Sequence, residues 1–578
     1  MNGGRPVPGE SASRGTASAS VPAFIALFWL LAIFSQAKPV WQVGVDPKSG
    51  IEIEVTSPFD GQPMGGYSPF RVRVRNGSHA DREWTLLAKS PGEWRSFDST
   101  QTLASRYRMR VEAGGERVFD ILVPTACLTR NYSSSAISVQ FTGFGALPGF
   151  EWISGIDFSG KRLIGNIGLS RKVNDAFGSQ LRKRLDDNGA NNGLSEIDFA
   201  ELPPDWRALL GFDQIWMEQD EYDALPAAQR QAIQQWATTG GLLVLCRPQG
   251  EEKMEPSGFG TVQTFPLYGY TLAVAAAHME KVGAGNRAGL KESYRTVWPD
   301  KSWMAPYKAN APLLIGVICI FGVVVGPINF FLLCGREKRH RIFFMTPLIS
   351  IIGALLIGLA IFIQDGLGGW GRRVALILLQ PGQNFEVVQQ EQASRTGVLL
   401  KTRFDVDEHA AFQPMPLSSR NKSYAFDGKK VTGDWFQSRA VQGQILTAVR
   451  PSRARVELLN AAEVAAGQRP RVLSSIGAKL DALFYVDPDG TLFRAENVSP
   501  GRAVTLEKCD RATFQTALNR GEFELTGPRL RRLAGFPNVT PGWFYATAEA
   551  PKGVMIDTLR SLDWRKDRAF YLGPVITP

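Results

Sequence analysis

The chain has 578 residues, 44% hydrophobic and 21% charged, with a formal charge of +10. That length suits about three to five domains. The excess charge is modest and spread out, with no basic stripe interleaved with aromatics, so nucleic acid is not an expected partner. Cys127, Cys246, Cys319, Cys334 and Cys509 show no Cys-x-x-Cys spacing, and His79, His278, His340 and His409 are scattered. No disulfide framework, metal site or cofactor is expected. The cysteines read as small buried hydrophobes, with one bridge among Cys127, Cys246 and Cys509 left open.

Residues 1–37 read as a signal peptide. A Gly-, Ser- and Ala-rich start with Arg5 and Arg14 leads to an apolar core, Val21 to Phe34, and then Ser35-Gln36-Ala37, which fits a cleavage site. Cleaved or kept as an anchor, it sends the following segment out of the cytoplasm. Sequons such as Asn76 carry no weight in a chain of bacterial style.

Over 40–145 the pattern alternates, as in Ile51-Glu-Ile-Glu-Val55 and Phe70-Arg-Val-Arg-Val-Arg75, with Asn76-Gly77 and Gly114-Gly115 as turns. This predicts half-buried antiparallel strands in an immunoglobulin-like β-sandwich. From about 160 strands alternate with helices. Arg162–Gly168, Ile197–Phe199, Phe212–Met217 and Leu242–Leu245 read as strands, Asn174–Leu185 and Pro226–Thr239 as helices, and Asp205–Leu210 as a turn of helix. Pro226 suits the first turn of its helix and Gly240 its stop. An α/β domain with a parallel sheet over 160–280 follows.

The run Asp205-Trp-Arg-Ala-Leu-Leu-Gly-Phe-Asp-Gln-Ile-Trp-Met217 and the later helix, Gly240-Gly241 turn and strand resemble the class I glutamine amidotransferase-like fold. The nearer resemblance is to its non-catalytic versions in bacterial membrane proteins. The active family carries a Cys on a Gly-x-Cys-x-Gly turn and a downstream His-x-Glu. Cys246 lies between Leu245 and Arg247, without the glycines of a strained elbow. His278-Met279-Glu280 keeps the second spacing, so Cys246 and His278 are the only catalytic candidates. Gly258-Phe-Gly-Thr-Val-Gln263 resembles a turn that continues such domains and lacks the Lys-Ser/Thr of a phosphate loop. Residues 281–310 read as a connector with Trp298, Trp303 and Tyr307 as interface aromatics.

Two uncharged apolar runs, 311–334 and 342–363, flank a basic loop, 335–341. Each reaches roughly 30–36 Å as a helix and is long enough to cross a bilayer. Arg336, Lys338, Arg339 and Arg341 place the loop in the cytoplasm, and both flanking regions outside it. Gly322 and Gly326 share a bare helix face suited to close packing, most simply on the second helix. Pro327 predicts a kink, and Asn329 needs a polar partner, most simply a carbonyl freed by Pro327. The Gly-Pro-x-Asn run, basic loop and second helix near Pro347 resemble a group of uncharacterised bacterial membrane-anchored proteins. In them, exported β-rich or amidotransferase-like domains surround such a hairpin.

Residues 372–578 read as a β-rich exported region of one or two β-sandwich modules, with Asp487-Pro-Asp-Gly490 as a tight turn. Asp405, Asp407 and Glu408 beside His409 lack the glycine and terminal glutamate of a calcium loop. The expected fold is a multidomain α+β membrane protein. Its expected place is the bacterial inner membrane, with two passes and both large regions exported. The expected function is a cell-envelope scaffold or recognition protein without catalysis, with the lipid bilayer and a membrane or envelope protein as partners. Two other functions stay open: an amidotransferase-like or hydrolase enzyme using Cys246 and His278, and an accessory subunit of a transporter.

Overall fold

The structure, a computed structural model, describes residues 39–577 apart from 44–47, 62, 64, 95–98, 126–135, 146, 154–161, 188–189, 267–310, 334–335, 366–367, 400–402, 408, 416–421, 435–436, 439, 520–527, 536–538, 551–552 and 561. The signal peptide, the connector and His278 lie outside the described residues.

The alternating stretches of the first region form two facing sheets. One has four antiparallel strands, Pro39–Val43, Ile51–Thr56, Tyr67–Asn76 and Glu116–Pro124 in that order. Its inward residues Ile51, Ile53, Val55, Phe70, Val72 and Val74 pack on Trp84, Leu86, Ala88, Met109 and Val111 of the other sheet. Period-two alternation produces this, since one face of each strand is dry and the other wet. Asn76 is buried as a turn lock: its Nδ2 donates to the carbonyls of Ala80, Val111 and Glu112.

The second sheet has seven strands, and three of them come from beyond the apolar helical hairpin, 311–365. The order is Phe404–Asp405, Lys430–Thr432, Lys422–Asp427, Ser99–Val111, Arg82–Trp94, Ala136–Thr142 and Phe150–Ile153. Lys422–Asp427 runs parallel to Ser99–Val111, pairing Lys422 with Gln101 through to Asp427 with Arg106. The two large regions are therefore joined by backbone hydrogen bonds, and a boundary at 145 does not isolate a unit.

The middle region has a six-stranded sheet, ordered Ala190–Ile197, Arg162–Ser170, Gln214–Glu218, Leu242–Arg247, Gly260–Pro266 and Lys253–Ser257. All pairs are parallel except the last. The strands expected around 162–168, 212–217 and 242–245 are found, whereas the strand expected at Ile197–Phe199 runs over Ala190–Ile197. Ala227–Thr238 is helical, entered at Pro226 and left at Gly240 with φ +118°. Asp205 caps the short helix Trp206–Leu209 by accepting from the Arg207 N–H. The helix expected at 174–185 spans 171–187 and contains a π-helical stretch, Asn174–Gly178. The Gly258–Gly260 segment is a hairpin turn. A Cβ on Gly260 would lie 2.1 Å from the Ala237 carbonyl oxygen, so the glycine serves close packing on the helix end.

Among the described residues, two helices are long and apolar enough to cross a membrane, with spans Ile315–Leu332 and Arg339–Leu359. The first is α-helical over Ala311–Val323 and π-helical over Val324–Leu333, where Pro327 sits. The second is Ile342–Asp365. Asn329 has a partner across the hairpin: its Nδ2 donates to Thr346 Oγ1 at 2.8 Å. The close approach of the two helices is at Gly353, where a Cβ would meet the Phe321 ring at 2.2 Å. At Gly322 and Gly326 a Cβ meets nothing within 4 Å, so that face is open.

After the hairpin comes a nine-stranded sheet, with Gly369–Gln380 and Asp563–Pro574 parallel at its middle. It is not a free-standing sandwich. On one face Val374, Leu376 and Leu378 pack with Ile233, Trp236 and Ala237 of the α/β region. On the other, Ala375, Ile377 and Leu379 pack with Met555, Ile556 and Leu559. Burial on both faces accounts for the unbroken apolar run from Val374 to Leu379. The neighbouring strand, Phe385–Thr396, buries Gln389, Gln390, Glu391 and Gln392. Each has a partner, as burial demands. Gln389 donates to the Thr239 carbonyl at 3.1 Å, Gln390 exchanges two bonds with the Ile556 backbone, and Gln392 donates to Gln444 and Thr558. Arg529 lies 3.5 Å from Glu391.

Candidate recognition cleft

Cys246 ends the strand Leu242–Arg247, beside Glu218 of the adjacent parallel strand. Ligands of open parallel sheets sit outside the carboxyl ends of the strands where the strand order reverses. Here that place is between Arg162–Ser170 and Gln214–Glu218, and the protein's own side chains interact there. Lys172 pairs with Glu218 at 3.4 Å. Burial holds the Glu221 carboxyl above the usual carboxylate range, with the Ser170 hydroxyl opposing the shift. Cys246 is only 2% exposed. Burial, and then the Glu218 charge, push its thiol from 9.0 up to about 12. A nucleophilic cysteine needs the reverse, an exposed thiol with a lowered pKa. We expect Cys246 to resist maleimide at pH 8 in the folded protein and to react once urea unfolds it. Mass spectrometry reads this directly, and equal labelling rates in the two states would refute it.

A concave surface lies elsewhere, where the three regions outside the hairpin meet. An inner chamber of about 630 Å³ is lined by Tyr67 and Tyr107 from the first region, Asp205 and Arg207 from the second, and Phe412 and Lys429 from the third. Its walls are fixed by hydrogen bonds within and between regions. The Phe412 N–H donates to the Tyr67 hydroxyl at 2.9 Å. The Tyr107 hydroxyl donates to the Leu122 carbonyl. Asp205 holds Arg207 through two oxygens, with Nε 3.0 Å from each. Burial raises the pKa of both phenols, so neither supplies a phenolate at neutral pH.

The chamber opens into an outer groove of about 1310 Å³ between the strands Ser99–Val111 and Glu116–Pro124 and the turn at Gly428. Three ion pairs line it: Arg108–Asp427 at 3.4 Å, Arg450–Asp407 at 3.5 Å and Arg560–Asp557 at 2.7 Å. Among the described residues, Arg106, Arg117 and Lys430 line it without a carboxylate partner, and Asp405 without a cation. The Arg117 guanidinium lies 5.2 Å from the Phe119 ring centre. No histidine or cysteine lines chamber or groove among the described residues, nor does any cluster there suit a metal. Such a surface can bind and orient an anionic partner.

Of the residues singled out by sequence, His278 lies outside the described residues, while the structure sets Cys246 near its strand end beside Glu218 and brings Asn329 onto Thr346. It sets Arg336–Arg341 in one short helical turn, with Arg339 and Arg341 exposed. Of the cleft residues, the sequence singled out Asp205 and Arg207 within the amidotransferase-like run and Asp405 and Asp407 within an acidic stretch, and it gave no sign that they meet.

No family model matches the sequence, and no curated protein matches it. Among solved structures, the chain is similar to the sporulation control protein Spo0M from Bacillus subtilis, at 12% identity and a TM-score of 0.14, over 20% of this chain and 50% of that one. It is also similar to a Bacteroides uniformis beta-glucuronidase, at 12% identity and a TM-score of 0.13, over 48% of this chain and 31% of that one. The chain thus spans half of the first protein's length and about a third of the second's. Likenesses of this size carry no argument about fold or activity.

Proposed function

We propose that the chain is a membrane-anchored recognition protein of the bacterial cell envelope that does no chemistry of its own. Its first region is immunoglobulin-like and its second a non-catalytic amidotransferase-like domain. The hairpin holds both in the inner membrane with the large regions on the exported side. The observation that carries this reading is the cleft, because all three outer regions build it. The shared sheet supports the topology: strands on either side of the hairpin that pair with one another must lie on one side of the bilayer. The Arg336–Arg341 loop supports the direction. The buried, protonated thiol of Cys246 speaks against the enzyme reading.

A photo-crosslinking residue at Arg106 or Lys430 in native membranes tests this. One defined envelope component should be captured from both positions and not from an outlying control such as Lys508. Capture at the control alone, or turnover by the purified protein that Cys246→Ala abolishes, would overturn the proposal. A second reading, an accessory subunit packed on a transporter, is favoured by the open Gly322–Gly326 face. It predicts that Gly322→Leu releases a polytopic partner in mild detergent.

A further inference from the structure

The outer groove is bounded by two strand edges that no described strand covers. Glu116–Pro124 is the last strand of its four-stranded sheet, paired only with Tyr67–Asn76. On the facing wall, Lys422–Asp427 covers Ser99–Val111 only as far as Arg106, so Tyr107 to Val111 continue past it.

The direction of the open backbone groups follows from two observations. Leu122 pairs with Pro69, which has no N–H to give, and the Leu122 carbonyl accepts the Tyr107 hydroxyl instead. Leu122 therefore points its backbone groups away from its sheet. Such groups alternate along an antiparallel strand, so Asp120, Val118 and Glu116 point the same way. Val118 and Asp120 line the groove. Val118 is 47% exposed, an apolar side chain at the centre of an open edge, where strands that must stay unpaired usually place charge or proline. The same groove is lined by Arg106, Arg117 and Lys430, and by Asp405, whose carboxylate has no ion pair among the described residues.

We propose that this groove binds an extended, acidic polypeptide segment, which adds as a strand to the open edge of Glu116–Pro124 and sets its carboxylates against Arg106, Arg117 and Lys430. Backbone hydrogen bonds would supply affinity and the cations would select the charge. The inference rests on the cleft being the recognition surface, and it names the partner as polypeptide rather than another acidic polymer.

The test uses the full chain in detergent and fluorescence anisotropy with a labelled peptide of alternating Glu and Thr. Binding should weaken at least about tenfold when alternate peptide nitrogens are methylated, because each lost backbone bond then counts. The matching Lys–Thr peptide should not bind. Val118→Pro should weaken binding by a similar factor. It removes an N–H that faces the groove, and an edge strand tolerates proline there, which an unchanged thermal transition would verify. Arg106→Ala with Arg117→Ala should weaken binding and flatten its salt dependence. Equal binding of methylated and plain peptides, equal binding of the Lys–Thr peptide, no binding at all, or tighter binding of polygalacturonate would each overturn the proposal. Cleft-specific crosslinks to a component that is not polypeptide would end this inference and leave the recognition reading standing.

Discussion

Replacing Arg529 with Met lowers the stability of the folded protein by about 3–5 kcal/mol. Glu391 lies at the middle of the Phe385–Thr396 strand with 0% exposure, and Arg529 is the cation beside it. A carboxylate in a low-dielectric interior is tolerable when its charge is matched, and removal of one partner strands the other. Arg529 also donates to Gln389, which in turn accepts from the Thr447 hydroxyl and donates to Thr239. The loss should therefore spread to the end of the Ala227–Thr238 helix. Thermal and urea unfolding in detergent micelles measure the change. The double variant Arg529→Met with Glu391→Gln should recover most of it. A single variant within about 1 kcal/mol of the parent would show that the pair contributes little.

Trp236→Ala should cost a similar amount, about 3–5 kcal/mol, as loss of a large buried aromatic does. Trp236 sits where the helix of the α/β region meets the nine-stranded sheet, and it is wholly buried. Gly241 is shaped around it: a Cβ there would come within 2.5 Å of the indole. The site cannot collapse onto the gap without moving two regions. Hydrogen exchange should thus rise both in Ala227–Thr238 and in Gly369–Gln380. A rise limited to the α/β region would mean that the two are separate folding units.

The sequence made some of these elements plain and concealed others for physical reasons. Pro226 and Gly240 bracket a helix because each acts on its own backbone, and the apolar runs 311–334 and 342–363 announce themselves by length alone. Gln389-Gln390-Glu391-Gln392 does the opposite. A polar run reads as solvated loop, and only partners distant in sequence, such as Thr239, Gln444, Arg529 and Thr558, make it a buried strand. The pairing of Lys422–Asp427 with Ser99–Val111 leaves no local trace either, since parallel partners impose no turn between them. The cleft was illegible for the same reason. Its cations are ordinary exposed residues until the fold gathers Arg106, Arg117 and Lys430 around one groove. Asn329 was legible as a polar group in need of a partner, but its partner, Thr346, was not.

The parallel pairing also sets a schedule for biogenesis. Arg108 and its ion-pair partner Asp427 are separated by 319 residues. At about 5–20 residues per second of synthesis, the first region waits roughly 15–60 s after emerging before the strand that completes its sheet has been made. The apolar hairpin, 311–365, is made during that interval. Until then the Gln101–Arg106 stretch of Ser99–Val111 has an unsealed edge, which is open to pairing with other chains.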